Sequence, residues 1–508
     1  MPIGWNVESE FNVDLLASLK PGSEIDGYRM IERLHVGGTA YLFRVEPANG
    51  QSPGYPLLMK VPKVGHDQPT ESILGFETEA MILPSLHGTH VPRFAASGDL
   101  ARIPHLTMEC VQGTSLVAIA ATAPIPVERV AALGAAVADA AHSLHQQDTV
   151  HHDLKPDNII IRESGSAVLL DFGFAHHAHF PDLLAEEKRY AAGSAPYVSP
   201  EQLTGFRHDA RSDIFALGVV LYELATGKLP FGVPETLNAM KNRLWASPTP
   251  PRARVPEIPP WLQEIILRCL EVDPKLRYQS AALVAFDLRH PEQVQLTTRA
   301  DLVTRAGFTT QFGRWWHSRE ARQQQQRKRP APISQTPVIM VAIDTSHPED
   351  KRHPALQWTV RQLTSLNLEF RLICVSAIRA APIGEGGKSA DTSSGLQLVH
   401  KVHLRNWTEP LGLAANKLSL HVIESDDPAT ALLEFAKNNN VDLIVIGAPA
   451  SEESALAWWR SAASSVTANA HCSVHVVRVP SRPREDWKIP AESNLKSKAP
   501  APAWRSGN

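Results

Sequence analysis

The residues that could do chemistry in this 508-residue chain gather in one stretch. From Val150 it reads VHHDLKPDNIII, then LLDFG from Leu169, then GSAPYVSPE from Gly193. Asp153, Lys155, Asn158 and Asp171 place two carboxylates, an ammonium and a carboxamide close together in sequence. A lone Asp or Asn in a loop is usually a cap or turn residue. Here the order and spacing of the pieces carry the specificity. Farther upstream, PLLMKVP puts Lys60 at the end of an apolar run, and LHVGGTAYLFRV offers Gly37 and Gly38.

Elements must hold these groups in place. Residues 28–102 read as short β-rich runs around one helix, Ile73 to Leu86. Beyond them, Val130, Leu133, Val137, Ala140, Ala141 and Leu144 follow helical three-four spacing. A second helix is expected after Ser212 as its cap, with Ile214, Leu217, Leu221 and Leu224 on one face. From about residue 301, Gln323–Gln326, Arg327-Lys328-Arg329 and several prolines read as a linker. After it, VIMVAID, FRLICVSA, LSLHVIES, VDLIVIG and CSVHVVRV alternate with helical stretches, the pattern of a parallel α/β sheet.

Taken together, the motifs of residues 28–290 resemble the eukaryotic-like Ser/Thr protein kinases of bacteria, an α+β bilobal fold. The resemblance implies ATP and Mg²⁺ as cofactors and a protein Ser or Thr hydroxyl as acceptor. It makes Asp153 the base that orients the hydroxyl and Lys155 the neutraliser of the transferring phosphate; Asn158 and Asp171 become the metal ligands. Lys60 becomes the phosphate-binding lysine and Glu79 its helix partner, with Glu77 on another helix face. LTMECVQG resembles the hinge: Met108 would be the gatekeeper, and Glu109 and Cys110 would offer backbone groups to adenine. Cys110 itself reads as a small buried hydrophobe. Gly37 and Gly38 occupy the glycine-rich loop, where His35 and Ala40 replace the first and third glycines and left-handed φ angles are expected. Glu201 and Arg277 match a salt-bridged pair of the family, and Asp213 matches the aspartate that supports the catalytic loop. A binding-only pseudokinase scaffold is the alternative, motivated by His35, Ala40 and Leu58. The full set of Lys60, Glu79, Asp153, Asn158 and Asp171 favours the enzyme.

Two absences bear on regulation. His152 stands where many phosphorylation-gated kinases carry an arginine, and residues 172–192 contain no Ser or Thr. Without acceptor or receptor, switching by loop phosphorylation loses its physical basis. Activity is therefore expected to be constitutive or set elsewhere in the chain. The Ser194 hydroxyl is expected to bond Asp153 and Lys155. His176, His177 and His179 read as a solvated loop rather than a metal site.

Residues 336–480 resemble the universal stress protein family, an α/β flavodoxin-like domain with a parallel sheet. VAIDTS, VIGA and SVTANAHCSVHVV carry this likeness. Nucleotide-binding members use Gly, two residues, Gly, nine residues, Gly, then Ser or Thr. Here Gly447 and Ser461 match, Ala450 and Arg460 replace the other glycines, and Asp344 keeps the first-strand acid. A structural or dimerising unit, pairing two copies through an edge strand, is the expected role. The organisation is thus a leader (1–27), a kinase domain (28–290), a basic, Trp-containing linker (291–335), a stress-protein domain (336–480) and a disordered tail (481–508). The cationic, aromatic 312–329 segment could rest on an anionic membrane surface, but a charged linker is the favoured reading.

Composition sets outer bounds. With 50 Lys plus Arg against 53 Asp plus Glu, the net charge of −3 argues against a nucleic-acid partner. The four cysteines stand far apart, which excludes a disulfide scaffold and fits a reducing compartment. The first residues carry Glu8, Glu10 and Asp14 in place of a cationic leader, and no apolar run reaches the ~20 residues of a membrane span. A cytoplasmic location is expected.

Overall fold

The computed structural model describes residues 19–63, 70–98, 103–187, 193–234, 236–304, 337–347, 352–365, 370–378, 389–448 and 457–478. The chain divides into two compact units, taken here in turn.

The first opens with a six-stranded antiparallel sheet in the order β1-β2-β3-β4-β6-β5. Its strands are β1 (Glu24–Ile25), β2 (Tyr28–Val36), β3 (Ala40–Pro47), β4 (Leu57–Pro62), β5 (Phe94–Ser97) and β6 (Leu106–Glu109). Met30, Phe43, Val45, Leu57, Met59 and Val61 alternate onto one face and bury a core of their own. β1 comes from the expected leader, so the sheet begins before residue 28. Helix α1 (Thr70–Ile82) interrupts the strands where the apolar spacing indicated a helix.

The helical part follows. Short β7 (Thr114–Ser115) and α2 (Leu116–Ala120) lead into α3 (Val127–His145). All six apolar positions read from its sequence are buried. Glu128 in its first turn and His142 and His145 in its last suit the helix dipole. Then come β8 (Thr149–Val150), β9 (Ile159–Ile161), β10 (Ala167–Leu169), β11 (His176–His177), α4 (Leu183–Glu186), α5 (Arg211–Thr226), α6 (Pro260–Cys269) and α7 (Ala281–Arg289). Helix α5 starts one residue before Ser212, which is therefore not its cap: the Ser212 hydroxyl donates to Glu201 instead. Gly227 ends α5 at φ +65°, with Ala123 O only 2.8 Å from where a Cβ would stand, so glycine is required there.

Part of the expected linker belongs to this unit. Arg299 pairs with Glu264 at 3.0 Å and Glu271 at 2.9 Å, and Gln263 on α6 donates to the Ala300 carbonyl. Leader residues 1–18, linker residues 305–335 (with Phe312, Trp315 and Trp316) and the 481–508 tail lie outside the described residues.

The second unit is built on a five-stranded sheet in the order β14-β13-β12-β15-β16. Its strands are β12 (Val338–Ala342), β13 (Arg371–Ile378), β14 (Leu418–Glu424), β15 (Leu443–Gly447) and β16 (Ser473–Val477), the five apolar runs read from the sequence. β12 pairs in parallel with β13 and β15, and β15 with β16. Buried Met340, Ile373, Ile444 and Ile446 pack against Leu432 and Val466 of the covering helices.

Close packing makes one prediction. A Cβ on Gly218 of α5 would stand 2.7 Å from the Cβ of Cys269 on α6, an atom with no rotamer to yield. Gly218→Val should cost about 1–3 kcal/mol in chemical denaturation of the full chain.

Candidate active site

β4 ends in an apolar run whose alternation leaves Lys60 facing out of the sheet core, toward α1. Lys60 Nζ lies 2.5 Å from Glu79 Oε2 and 3.0 Å from Asp171 Oδ1. Burial alone would lower its pKa, but Asp171 and Glu79 more than reverse this and raise it. Asp171 adopts φ +62°, a left-handed conformation that costs energy outside glycine and is retained where the surroundings over-determine it. Phe172 beside it is fully buried and packs against His151 at 5.3 Å. Glu77 on the same helix has no part in this triad.

The loop after β8 carries the second cluster. Asp153 Oδ1 accepts the Ser194 N–H at 2.7 Å, while its Oδ2 takes Asn158 Nδ2 at 2.9 Å and lies 3.0 Å from Lys155 Nζ. Ser194 thus reaches Asp153 through its backbone rather than its hydroxyl; the hydroxyl accepts from Lys155 only. Asn158 Nδ2 also donates to the Asp153 carbonyl, which orients the carboxamide and leaves its oxygen free of these bonds. That oxygen and the Asp171 carboxylate make a hard-oxygen donor set that fits Mg²⁺.

Asp213, near the start of α5, holds this loop from below. Its carboxylate accepts the backbone N–H groups of His151 (2.8 Å) and His152 (2.9 Å) and pairs with His145 Nε2 at 2.9 Å. Burial works against its charge, yet the His145 hydrogen bond and the surrounding histidines hold it at about 2. Arg277 clamps Glu201 with two bonds of 2.7 and 2.8 Å, as the spacing indicated.

Met108 is buried in β6, where a gatekeeper would stand. The Cys110 N–H donates to Pro56 O, and its carbonyl accepts from Gln112 Nε2. Val111, the next residue, donates its N–H to no acceptor among the described residues. The Glu109 N–H is taken by Arg93 O, and its side chain ties the hinge to Arg162 at 2.8 Å. Burial pushes the Cys110 thiol up, so it is not an activated nucleophile.

At the glycine-rich turn, His35 and Ala40 sit on strands and Gly37 N–H donates to Ala40 O. Neither Gly37 nor Gly38 adopts a left-handed φ, against expectation. A Cβ on Gly38 would meet nothing within 4 Å, so the turn leaves space rather than needing special backbone angles. His176 and His177 are also not a solvated loop: they form β11, pair with Val150 and Thr149, and are buried. Only His179 is exposed. Among the described residues no cluster of three His, Cys, Asp or Glu side chains could hold a metal ion.

Residues 50–288 match the protein kinase domain. The chain therefore carries a protein kinase domain over these residues. Residues 336–478 match the universal stress protein family. The kinase match begins after the glycine-rich turn, and β2 and β3 pair directly with each other and β3 with β4 of the matched residues. A probable serine/threonine-protein kinase of Clostridium acetobutylicum is 30% identical over 255 residues, covering 50% of this chain and 38% of the relative. The serine/threonine-protein kinase PknB of Mycolicibacterium smegmatis is 33% identical over 209 residues, 41% of this chain and 33% of the relative. Pkn1 of Myxococcus xanthus is 33% identical over 298 residues, 56% and 41%. The chain spans roughly two fifths or less of the length of these relatives.

Buried Asp213 and Asp182 of the kinase domain both sit at about 2, below the ordinary 3.8. Carboxylates depressed in the folded state stabilise it above the unfolded pKa and lose that contribution as pH falls through the folded value. Urea midpoints should hold from pH 7 to about 5 and fall between about 4 and 2. Asp213→Asn should show a shallower acid limb; an identical limb would contradict the assignment.

Proposed function

We propose that this protein is an ATP-dependent protein kinase that transfers the γ-phosphate to Ser or Thr hydroxyls of proteins. The observation that carries this reading is the Lys60 ion triad beside an Asp153 already oriented by Ser194, Asn158 and Lys155. Lys60 presents a charged ammonium to the ATP phosphates, and Glu79 prevents it from collapsing onto Asp171 alone. Asp153 aligns the acceptor hydroxyl and takes its proton as the new O–P bond forms and the β–γ bridging P–O bond breaks. Lys155 offsets charge on the transferring group. Asn158 and Asp171 would hold Mg²⁺, which supplies neutralisation of the phosphate oxygens when bound. Lys155 and the protein-substrate form of the SAPYVSPE segment favour Ser/Thr acceptors.

The stress-protein domain acts as a structural or pairing unit rather than a second nucleotide site. Between Asp344 and Gly447 the cavity is about 10 Å³, room for one water. Arg352 fills the space, its Cδ 3.4 Å from where a Gly447 Cβ would stand and its guanidinium 3.8 Å from Asp344. Ala450 and the Arg460 side chain lie outside the described residues. β16 ends the sheet with Ser473 and His475 exposed, an edge open to a second copy. No described helix is long and apolar enough to cross a membrane. The four cysteines are free, which supports a reducing, cytoplasmic setting.

Two measurements test this reading. Mg-ATP with the full chain should give autophosphorylation that Asp153→Asn reduces at least about 100-fold; equal labelling would sink the enzyme reading. Titration with a non-hydrolysable ATP analogue should saturate at one nucleotide per chain, and two would overturn the role given to the second domain.

A further inference from the structure

An arginine that contacts a phosphorylated loop residue is missing before Asp153, and residues 172–192 hold no Ser or Thr to phosphorylate. The structure fills that gap with an ion pair of its own. Arg207, just past Glu201, is 1% exposed. Its Nε lies 2.9 and 3.2 Å from the two carboxylate oxygens of Asp182, in the middle of the activation segment. Its Nη2 donates to the carbonyl of Phe174, directly after the DFG triplet, at 2.8 Å. Two points of the segment, eight residues apart, are thus held by one guanidinium.

The same residue reaches the catalytic loop. His152 Nε2 donates to the Arg207 carbonyl at 2.6 Å. A carbonyl only accepts, so this nitrogen carries the proton. His152 has φ +64° and is followed by Asp153, so this contact fixes a strained turn next to the base. Burial, and secondly the Arg207 charge, hold His152 neutral, with a pKa of about 3. A neutral imidazole cannot act as a phosphate clamp.

A third connection leads to Lys60. Asp182 Oδ1 accepts the Ala185 N–H and caps α4. Leu183 and Leu184 of that helix bury with Leu74 of α1, alongside Phe174 and Met81. Helix α1 carries Glu79. Breaking a buried ion pair by removing one partner leaves an uncompensated charge, so such a pair holds its geometry firmly.

We propose that the Arg207–Asp182 pair is the positioning device that keeps the activation segment, the catalytic loop and α1 in the transfer-competent arrangement without phosphorylation. Neither residue touches substrate; both act through Asp153 and Glu79. This inference rests on the kinase reading above.

The test uses the full chain, stripped by a broad-specificity phosphatase, with mass spectrometry confirming its unphosphorylated state. Initial rates of transfer from ATP to a basic protein substrate are compared for wild type, Asp153→Asn, Asp182→Asn and Arg207→Lys. Stripped wild type should keep its rate within about 2-fold of untreated protein. Asp182→Asn should lower kcat at least about 10-fold while KM for ATP moves less than about 3-fold, a split that general destabilisation would not give. Arg207→Lys, which retains the charge but not the fork, should fall between the two. A stripped wild type that is inactive until it rephosphorylates would overturn the proposal, whatever the variants do. So would an Asp182→Asn enzyme with wild-type kcat. A wild type no faster than Asp153→Asn would instead remove the kinase reading itself.

Discussion

A buried ammonium is the constraint around which the kinase domain is organised. Lys60 is mostly withdrawn from water, and an unpaired charge there would be prohibitively costly. It is tolerated because Glu79, from a helix, and Asp171, from a loop 111 residues away, meet it from two sides. The sheet, helix α1 and the DFG turn must therefore come together for the charge to be satisfied at all. On the proposed kinase reading, the same requirement would give the site its chemistry, since a lysine held charged by two carboxylates suits a phosphate ligand.

The catalytic loop follows the same logic with the signs reversed. Asp213 is a buried carboxylate with donors from His145, His151 and His152. Two of these are backbone N–H groups, so the aspartate shapes the main chain on which Asp153 is mounted. Asp153 then has its own donors in Ser194 and Asn158 before any substrate arrives. Preorganised dipoles of this kind favour the transition state because they need little rearrangement during reaction.

How far this was legible depends on the range of the interaction. Lys60, Glu79, Asp153, Asn158 and Asp171 could be read because their types and order are tied to chemistry, and the helical spacing behind Glu79 separated it from Glu77. The five strands of the second domain could be read because apolar, mostly β-branched residues dominate each of them. Arg207 and Asp182 could not, since nothing in local pattern tells a buried ion pair from two surface charges. His176 and His177 read as solvated because imidazoles are polar; pairing with β8 shows them buried. Likewise, the glycines of the phosphate-covering turn supply room, not the backbone angles expected of them.

The central claim is that the buried Lys60–Glu79 pair sets the competence of the site. Its most direct test is kcat at saturating Mg-ATP for Glu79→Gln beside wild type, with thermal unfolding measured on both. Glutamine keeps the shape and removes the charge. The account predicts a fall in kcat of about 100-fold or more, and a lowered unfolding temperature with the protein still folded under assay conditions. An unchanged kcat would contradict it.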